Sequence, residues 1–255
     1  MKKVLLLLIV VIAISCKNEP KKEVKESVKQ VEVKKETFPE ELGKVFEAHG
    51  GIDAWRNAEV LSFKKGEEVH TIDLQSRINV INAPNYAVGF DGKNVWLDEA
   101  EKGTFKGNPA FYHNLFFYFY AMPFVLADEG ITYEKIAPLT FDGVDYPGYK
   151  MSFKSDMGSS PDDNYKLYFN AETHQMEWLA YTATFMSKKP SDKFNIIKYG
   201  KWNNVNGLIL PSEITWYKKD ENGVPKEPAK PATVFTDASI NKNDLTDSFF
   251  SKPVK

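Results

Sequence analysis

Apolar and polar residues alternate with a period of two through most of the chain from Val60 onward. The stretch VLSFKKGEEVHTIDLQSRINVI (60–81) shows it first, and NYAVGF and NVWLDEA continue it. A two-residue period places one set of side chains on each face of an extended strand. The later runs ITYEKIAPLTF, YPGYKMSF, NYKLYFNA, QMEWLAYTATF, FNIIKYGKW, LILPSEITWY and ATVFTDASI read the same way. Turn signals separate them at Asp91-Gly92, Asp142-Gly143, Asn206-Gly207 and Asn222-Gly223, pairs whose residues tolerate positive φ and so suit tight hairpins. About ten strands joined by short turns predict one large antiparallel sheet that must curl or close. No fixed repeat period runs through them, which argues against a propeller or solenoid.

Two stretches break the alternation with a helical period. In TFPEELGKVFEAHGG, Phe38, Leu42, Val45 and Phe46 form one stripe, Glu40 and Glu41 occupy the first turn, and Gly50 ends the run. Thr37 is placed to cap this helix, and His49 sits at its C-terminal end, where the helix dipole favours an imidazolium. The second stretch, NPAFYHNLFFYFYAMPFVLAD (108–128), packs eight aromatic rings between Phe111 and Phe124. Asn108-Pro109 is a helix start and Pro123 a stop. On a helical wheel Phe111, Tyr112, Leu115, Phe116, Phe119 and Met122 fill one arc; His113, Asn114 and Tyr118 lie opposite, with Phe117 a stray. A helix of about 14 residues spans only ~21 Å and cannot cross a bilayer. It predicts a lid over the sheet, with Phe124 just beyond it.

Composition agrees with a folded chain. Of 255 residues, 42% are hydrophobic and 27% charged, enough to bury a sizeable core. The N-terminus departs from the rest. MKKVLLLLIVVIAIS (1–15) has a charged start, an apolar run too short to span a membrane and a small residue before Cys16, the chain's one cysteine. This resembles the lipobox of a bacterial lipoprotein and implies that Cys16 is lipidated. Residues 16–37, nearly all Lys, Glu and Val, cannot bury enough apolar surface to fold alone and read as a tether reaching roughly 25 Å. The folded domain is expected over 38–255. Removing the leader lowers the basic count from 33 to 31 against 35 acids, leaving no basic excess for nucleic acid.

Signals for catalysis are sparse. His49, His70, His113 and His174 are far apart, with no metal-ligand spacing, and no nucleophile elbow, phosphate loop or dinucleotide fingerprint is present. We therefore expect no catalytic residue, metal or cofactor. Asp162-Asp163 reads as a pair of solvated loop carboxylates. Trp96 and Trp178, like the other tryptophans, suit a sheet face, where they pack a core or line a greasy concavity. His113 or tyrosine hydroxyls are candidates to hold a polar headgroup.

The leader, the first helix, APNYAVGFDGKNVWLDEAEK, YKLYFNAETHQMEWLAYTAT and VNGLILPSEITWY together resemble the LolA/LppX-like superfamily of envelope proteins. HGGIDAW (49–55) points to its uncharacterised lipoprotein branch. The resemblance covers roughly residues 38–239. It implies an α+β, mainly β fold: an antiparallel half-barrel of about ten strands with an N-terminal helix and a helical lid on its concave face. It implies too the binding of a lipid or acyl chain between sheet and lid; the carriers of that superfamily are soluble periplasmic shuttles, whereas the lipobox at Cys16 implies a lipid-anchored protein of the Gram-negative cell envelope, at the outer membrane. The lid's ligand-facing residues would be Phe111, Tyr112, Leu115, Phe116, Phe119, Met122 and Phe124, the sheet's Trp96 and Trp178. The carriers' lid-contacting arginine has no match, since Arg77 lacks the surrounding pattern. A docking lipoprotein that binds an envelope protein without a ligand cavity is the alternative, and a carboxylate-dependent hydrolase the third reading.

Overall fold

A computed structural model describes residues 38–153, 162–242 and 244–254. The leader, Cys16, the tether and the expected cap Thr37 lie outside these residues. Two antiparallel ladders make up most of the fold. The first contains β1 (Val60–Lys65), β2 (Glu68–Asp73), β3 (Asn79–Ala83), β4 (Tyr86–Phe90) and β5 (Val95–Glu99), a simple meander in chain order. The second contains β6 (Ile131–Phe141), β7 (Val144–Phe153), β8 (Asn164–Phe169), β9 (Met176–Tyr181), β10 (Asn195–Val205), β11 (Leu208–Lys219) and β12 (Pro225–Pro228), again each beside the next. Every run expected from the alternation contains a strand; β12 is an addition.

The expected single sheet is divided, and one length of chain joins the parts. β13 (Thr233–Val234) pairs with β11 through Glu213↔Val234, and β14 (Thr236–Asn241) pairs with β1 from Lys64↔Thr236 to Val60↔Asn241. Between them Phe235 is buried, packs on Phe63 and Tyr120, and donates its N–H to the Ser212 carbonyl. The two ladders thus form an open, curled antiparallel half-barrel. At Asp142-Gly143 and Asn206-Gly207 both turn residues have positive φ, as expected; at Asp91-Gly92 and Asn222-Gly223 only the glycine does. There Asp91 instead accepts the Lys93 and Asn94 N–H groups.

The concave side is filled by helices. α1 (Glu40–Ala48) buries Leu42, Val45 and Phe46 and is followed by α2 (Ile52–Arg56), which buries Ile52 and Trp55. α1 begins after Pro39 without a side-chain cap. Glu41 ties it to the sheet, accepting from Lys135 (2.6 Å) and the Tyr149 hydroxyl (2.9 Å).

His49 corrects the expectation of a charged cap. It does occupy the C-cap position of α1, but its ring is fully buried. Nδ1 lies 3.0 Å from the Ile209 carbonyl and Nε2 accepts the Met176 N–H at 3.0 Å. Only the neutral Nδ1–H tautomer makes both bonds. Burial, partly opposed by the Ile209 carbonyl, pulls the imidazole pKa down to about 4. The neighbouring Gly50 is forced: its φ is 106°, and a Cβ there would lie 2.2 Å from the Gly207 carbonyl oxygen. HGGIDAW is therefore the place where α1 docks on β9 and on the β10–β11 hairpin.

Candidate functional site

The aromatic stretch forms a broken lid. Asn108 caps it through the Ala110 N–H (2.9 Å) with Pro109 in the first turn, as its sequence requires. The expected single helix to Met122 does not form. α3 (Pro109–Tyr112) stops after one turn, the chain turns at His113-Asn114, and α4 (Leu115–Tyr120) follows. The Met122–Pro123 bond is cis and leads into a 3-10 turn, Phe124–Ala127. Contacts outside the lid account for the break: the Tyr112 hydroxyl is held by Glu68 (2.8 and 2.9 Å), and the His113 ring lies 3.3 Å from the Asn79 side chain. The supposed stray, Phe117, is buried with Tyr120 and Met122.

Between this lid and the second ladder lies a cleft of about 450 Å³. Phe111, Leu115, Phe116, Phe119 and Met122 line it from the lid, five of the seven lid residues expected. The other two are elsewhere. Tyr112 is bound to Glu68, and Phe124 is fully buried, stacked on Trp55 with ring centres 4.9 Å apart and planes 7° apart. The sheet side is built from Phe153, Tyr165, Tyr181, Phe185 and Trp216. Phe119 meets Tyr181 (5.1 Å) and Trp216 (5.6 Å) edge to face, closing lid on sheet.

Trp96 and Trp178 do not line the cleft. Trp96 covers Gly89, packs with Val80 and Phe250 and donates its indole N–H to the Phe250 carbonyl (2.9 Å). Trp178 is fully buried in a separate cluster with Tyr146, Tyr168 and Ile196, on the face opposite its neighbour Leu179. Alternation marked two faces on each strand without telling which one is concave. Tyr165, Tyr181 and Trp216 were therefore missed although they sit in expected strands. His113 opens instead onto a second hollow of about 340 Å³ shared with Arg77, Asn79, Phe90 and Phe117. Burial lowers its pKa to about 4, so it is neutral at physiological pH.

Few charged groups reach the cleft. Asp163 is not a solvated loop residue: it lines the wall and accepts the Thr184 N–H (2.7 Å) and hydroxyl (2.8 Å). Burial raises its pKa against those bonds. Asp128 is paired with Arg77 at 2.9 Å. Lys230 rests on the Trp216 ring, 3.7 Å from its centre.

Behind Phe116 lies a charged cluster with no sequence signature. Glu68, nearly buried, accepts from Lys65 (2.7 Å), His70 (3.2 Å), Tyr112 and Tyr86. Burial alone would raise its pKa, but these four donors outweigh it and hold the carboxyl at about 2. The Lys65 ammonium also sits 4.5 Å from the centre of the Phe116 ring. The cluster pins α3 to the β1–β2 hairpin. Among the described residues no group of three or more His, Cys, Asp or Glu side chains is arranged to hold a metal ion. No described helix is long and apolar enough to cross a membrane.

A family model matches residues 2–222, most of the chain. The chain belongs to DUF6503, a family of unknown function. No curated protein is similar to this DUF6503 chain. Among solved structures it is similar to a LolA superfamily protein from Nitrosomonas europaea (10% identity, 82% of this chain and 96% of that one, TM-score 0.41). It is similar also to a DUF1329 family protein from Desulfovibrio piger (10% identity, 84% and 98%, TM-score 0.43). A third is a putative outer membrane lipoprotein-sorting protein domain from Vibrio parahaemolyticus (7% identity, 81% and 96%, TM-score 0.39).

Proposed function

We propose that this DUF6503 chain is a binding protein of the bacterial envelope that holds an apolar chain, such as the acyl group of a lipid, between its lid and sheet. The observation that carries this reading is the cleft. Its volume of about 450 Å³ lies within the range of small-molecule sites, which are mostly apolar with a few polar groups. Aromatic and aliphatic side chains form most of its wall, and burying ligand surface there would contribute ~25 cal/mol per Å². The role is non-catalytic: Asp128 and Asp163, two of the carboxylates on the wall, are already engaged by Arg77 and by Thr184. The protein would be anchored through a lipidated Cys16, with residues 16–37 as the tether and 38–255 as the binding domain, at the outer membrane of a Gram-negative cell.

A fluorescent fatty acid tests the reading. Its emission should rise on addition of the protein and fall again when unlabelled dodecanoate competes. Phe185→Asp, a half-buried loop residue on the cleft wall, should weaken binding while leaving the unfolding midpoint near that of the wild type. Absence of any saturable signal would reject the proposal.

A further inference from the structure

The cleft has a polarity that its aromatic lining conceals. At the β11 end of the cleft Trp216 donates its indole N–H to the Tyr181 hydroxyl oxygen at 2.9 Å. That bond occupies an oxygen lone pair and turns the hydroxyl proton elsewhere; among the described residues no acceptor takes it. Lys230 stands on the same indole, 3.7 Å from the ring centre, and among the described residues no carboxylate pairs with it. Its position is held by backbone: the Ala229 N–H donates to the Trp216 carbonyl (2.8 Å), and Pro228 and Pro231 flank the pair. A cation and a hydroxyl donor therefore meet at one tryptophan.

Two of the cleft's three acids stand elsewhere. Asp128 and Glu129 lead into β6, an edge strand of the ladder five strand steps from β11. Asp163, which immediately precedes β8, is near enough to bear on the Tyr181 hydroxyl, but its carboxylate is engaged by the Thr184 N–H and hydroxyl and by Thr182. An anion would thus be attracted to Lys230 at the Trp216 end, whereas at the β6 end Glu129 stands beside an Asp128 whose charge Arg77 offsets; the stretch between is walled by Phe119 and Met122.

We infer that the cleft takes an amphiphile bearing an acid group, a carboxylate or a phosphate, seated between the Lys230 ammonium and the Tyr181 hydroxyl at Trp216. The chain of the ligand runs past Tyr165 under the lid toward Met122 and Leu126. This rests on the cleft reading above and adds to it the charge and direction of the ligand.

Titration calorimetry with dodecanoate, dodecyl phosphate and dodecanol, on the wild type, Lys230→Gln and Tyr181→Phe, separates the two claims. Lys230→Gln should weaken dodecanoate and dodecyl phosphate by roughly three- to tenfold, the scale of one partly exposed charge-assisted contact, and leave dodecanol within about twofold. Tyr181→Phe should also weaken the two acids more than the alcohol. The tighter of the two acids identifies a fatty carboxylate or a phosphorylated headgroup as the better fit. If all three ligands bind and neither substitution distinguishes acid from alcohol, the acid seat is wrong and the cleft reading stands. If none binds, both fall.

Discussion

His49 carries no charge and cannot accept one without losing a bond. Its Nε2 lone pair receives the Met176 N–H while Nδ1–H donates to the Ile209 carbonyl; a proton on Nε2 would set two donors against each other inside a sealed core. The folded pKa, about 4, lies below the unfolded value of 6.5. For a depressed histidine the unfolded chain binds more protons between these values. The stabilisation is therefore complete above pH 6.5 and is lost as pH falls toward 4. Integrating between pH 7.5 and pH 5 gives roughly 2 kcal/mol from this one ring. His49→Gln should cost ~1–3 kcal/mol at pH 7.5 by leaving a buried backbone group unpaired. The gap between mutant and wild type should then narrow by about 2 kcal/mol at pH 5, because the mutant has no imidazole to protonate. Urea unfolding followed by tryptophan fluorescence at the two pH values measures both numbers. A gap that stays constant from pH 7.5 to pH 5 would refute the neutral, doubly bonded His49.

Three further outcomes follow from the packing. Tyr112→Phe removes a hydroxyl from the Glu68 carboxylate and should destabilise the lid by ~1–2 kcal/mol, seen as faster amide exchange in residues 110–112; unchanged exchange would mean that Glu68 does not pin α3. Glu68 itself, depressed from 4.5 to about 2, contributes stability that is present above pH 4.5 and lost as pH falls through 2. Glu68→Gln should therefore cost ~3 kcal/mol near neutrality and flatten the wild type's acid unfolding curve. Gly50→Ala places a Cβ 2.2 Å from the Gly207 oxygen at a φ of 106° and should lower stability by more than ~1 kcal/mol, whereas Gly66→Ala, with open space around it, should cost less.

Much of this architecture was legible in the chain because its signals are local. Alternation located the strands, Asp-Gly and Asn-Gly pairs located hairpins, and Asn108-Pro109 fixed the start of the lid. What escaped was decided by contacts distant in sequence. The break after Tyr112 follows from a glutamate 44 residues earlier. The choice of Tyr181 and Trp216 over Trp96 and Trp178 for the cleft depends on which strand face turns inward, and a two-residue period is the same for both. His49 was read from the helix it ends, yet its chemistry is set by β9 and β11. Phe117 fell off the expected stripe because the helix carrying it begins afresh at Leu115.

The central claim is that the space between Phe119, Tyr165 and Trp216 receives an apolar chain. Crystals grown with a terminally brominated dodecanoate test it directly through the anomalous scattering of the bromine. The account predicts a bromine peak inside the cleft, among Met122, Leu126 and Tyr165, with the carboxylate toward Trp216. Bromine found solely on the outer surface, with the cleft closed by its own side chains, would contradict it.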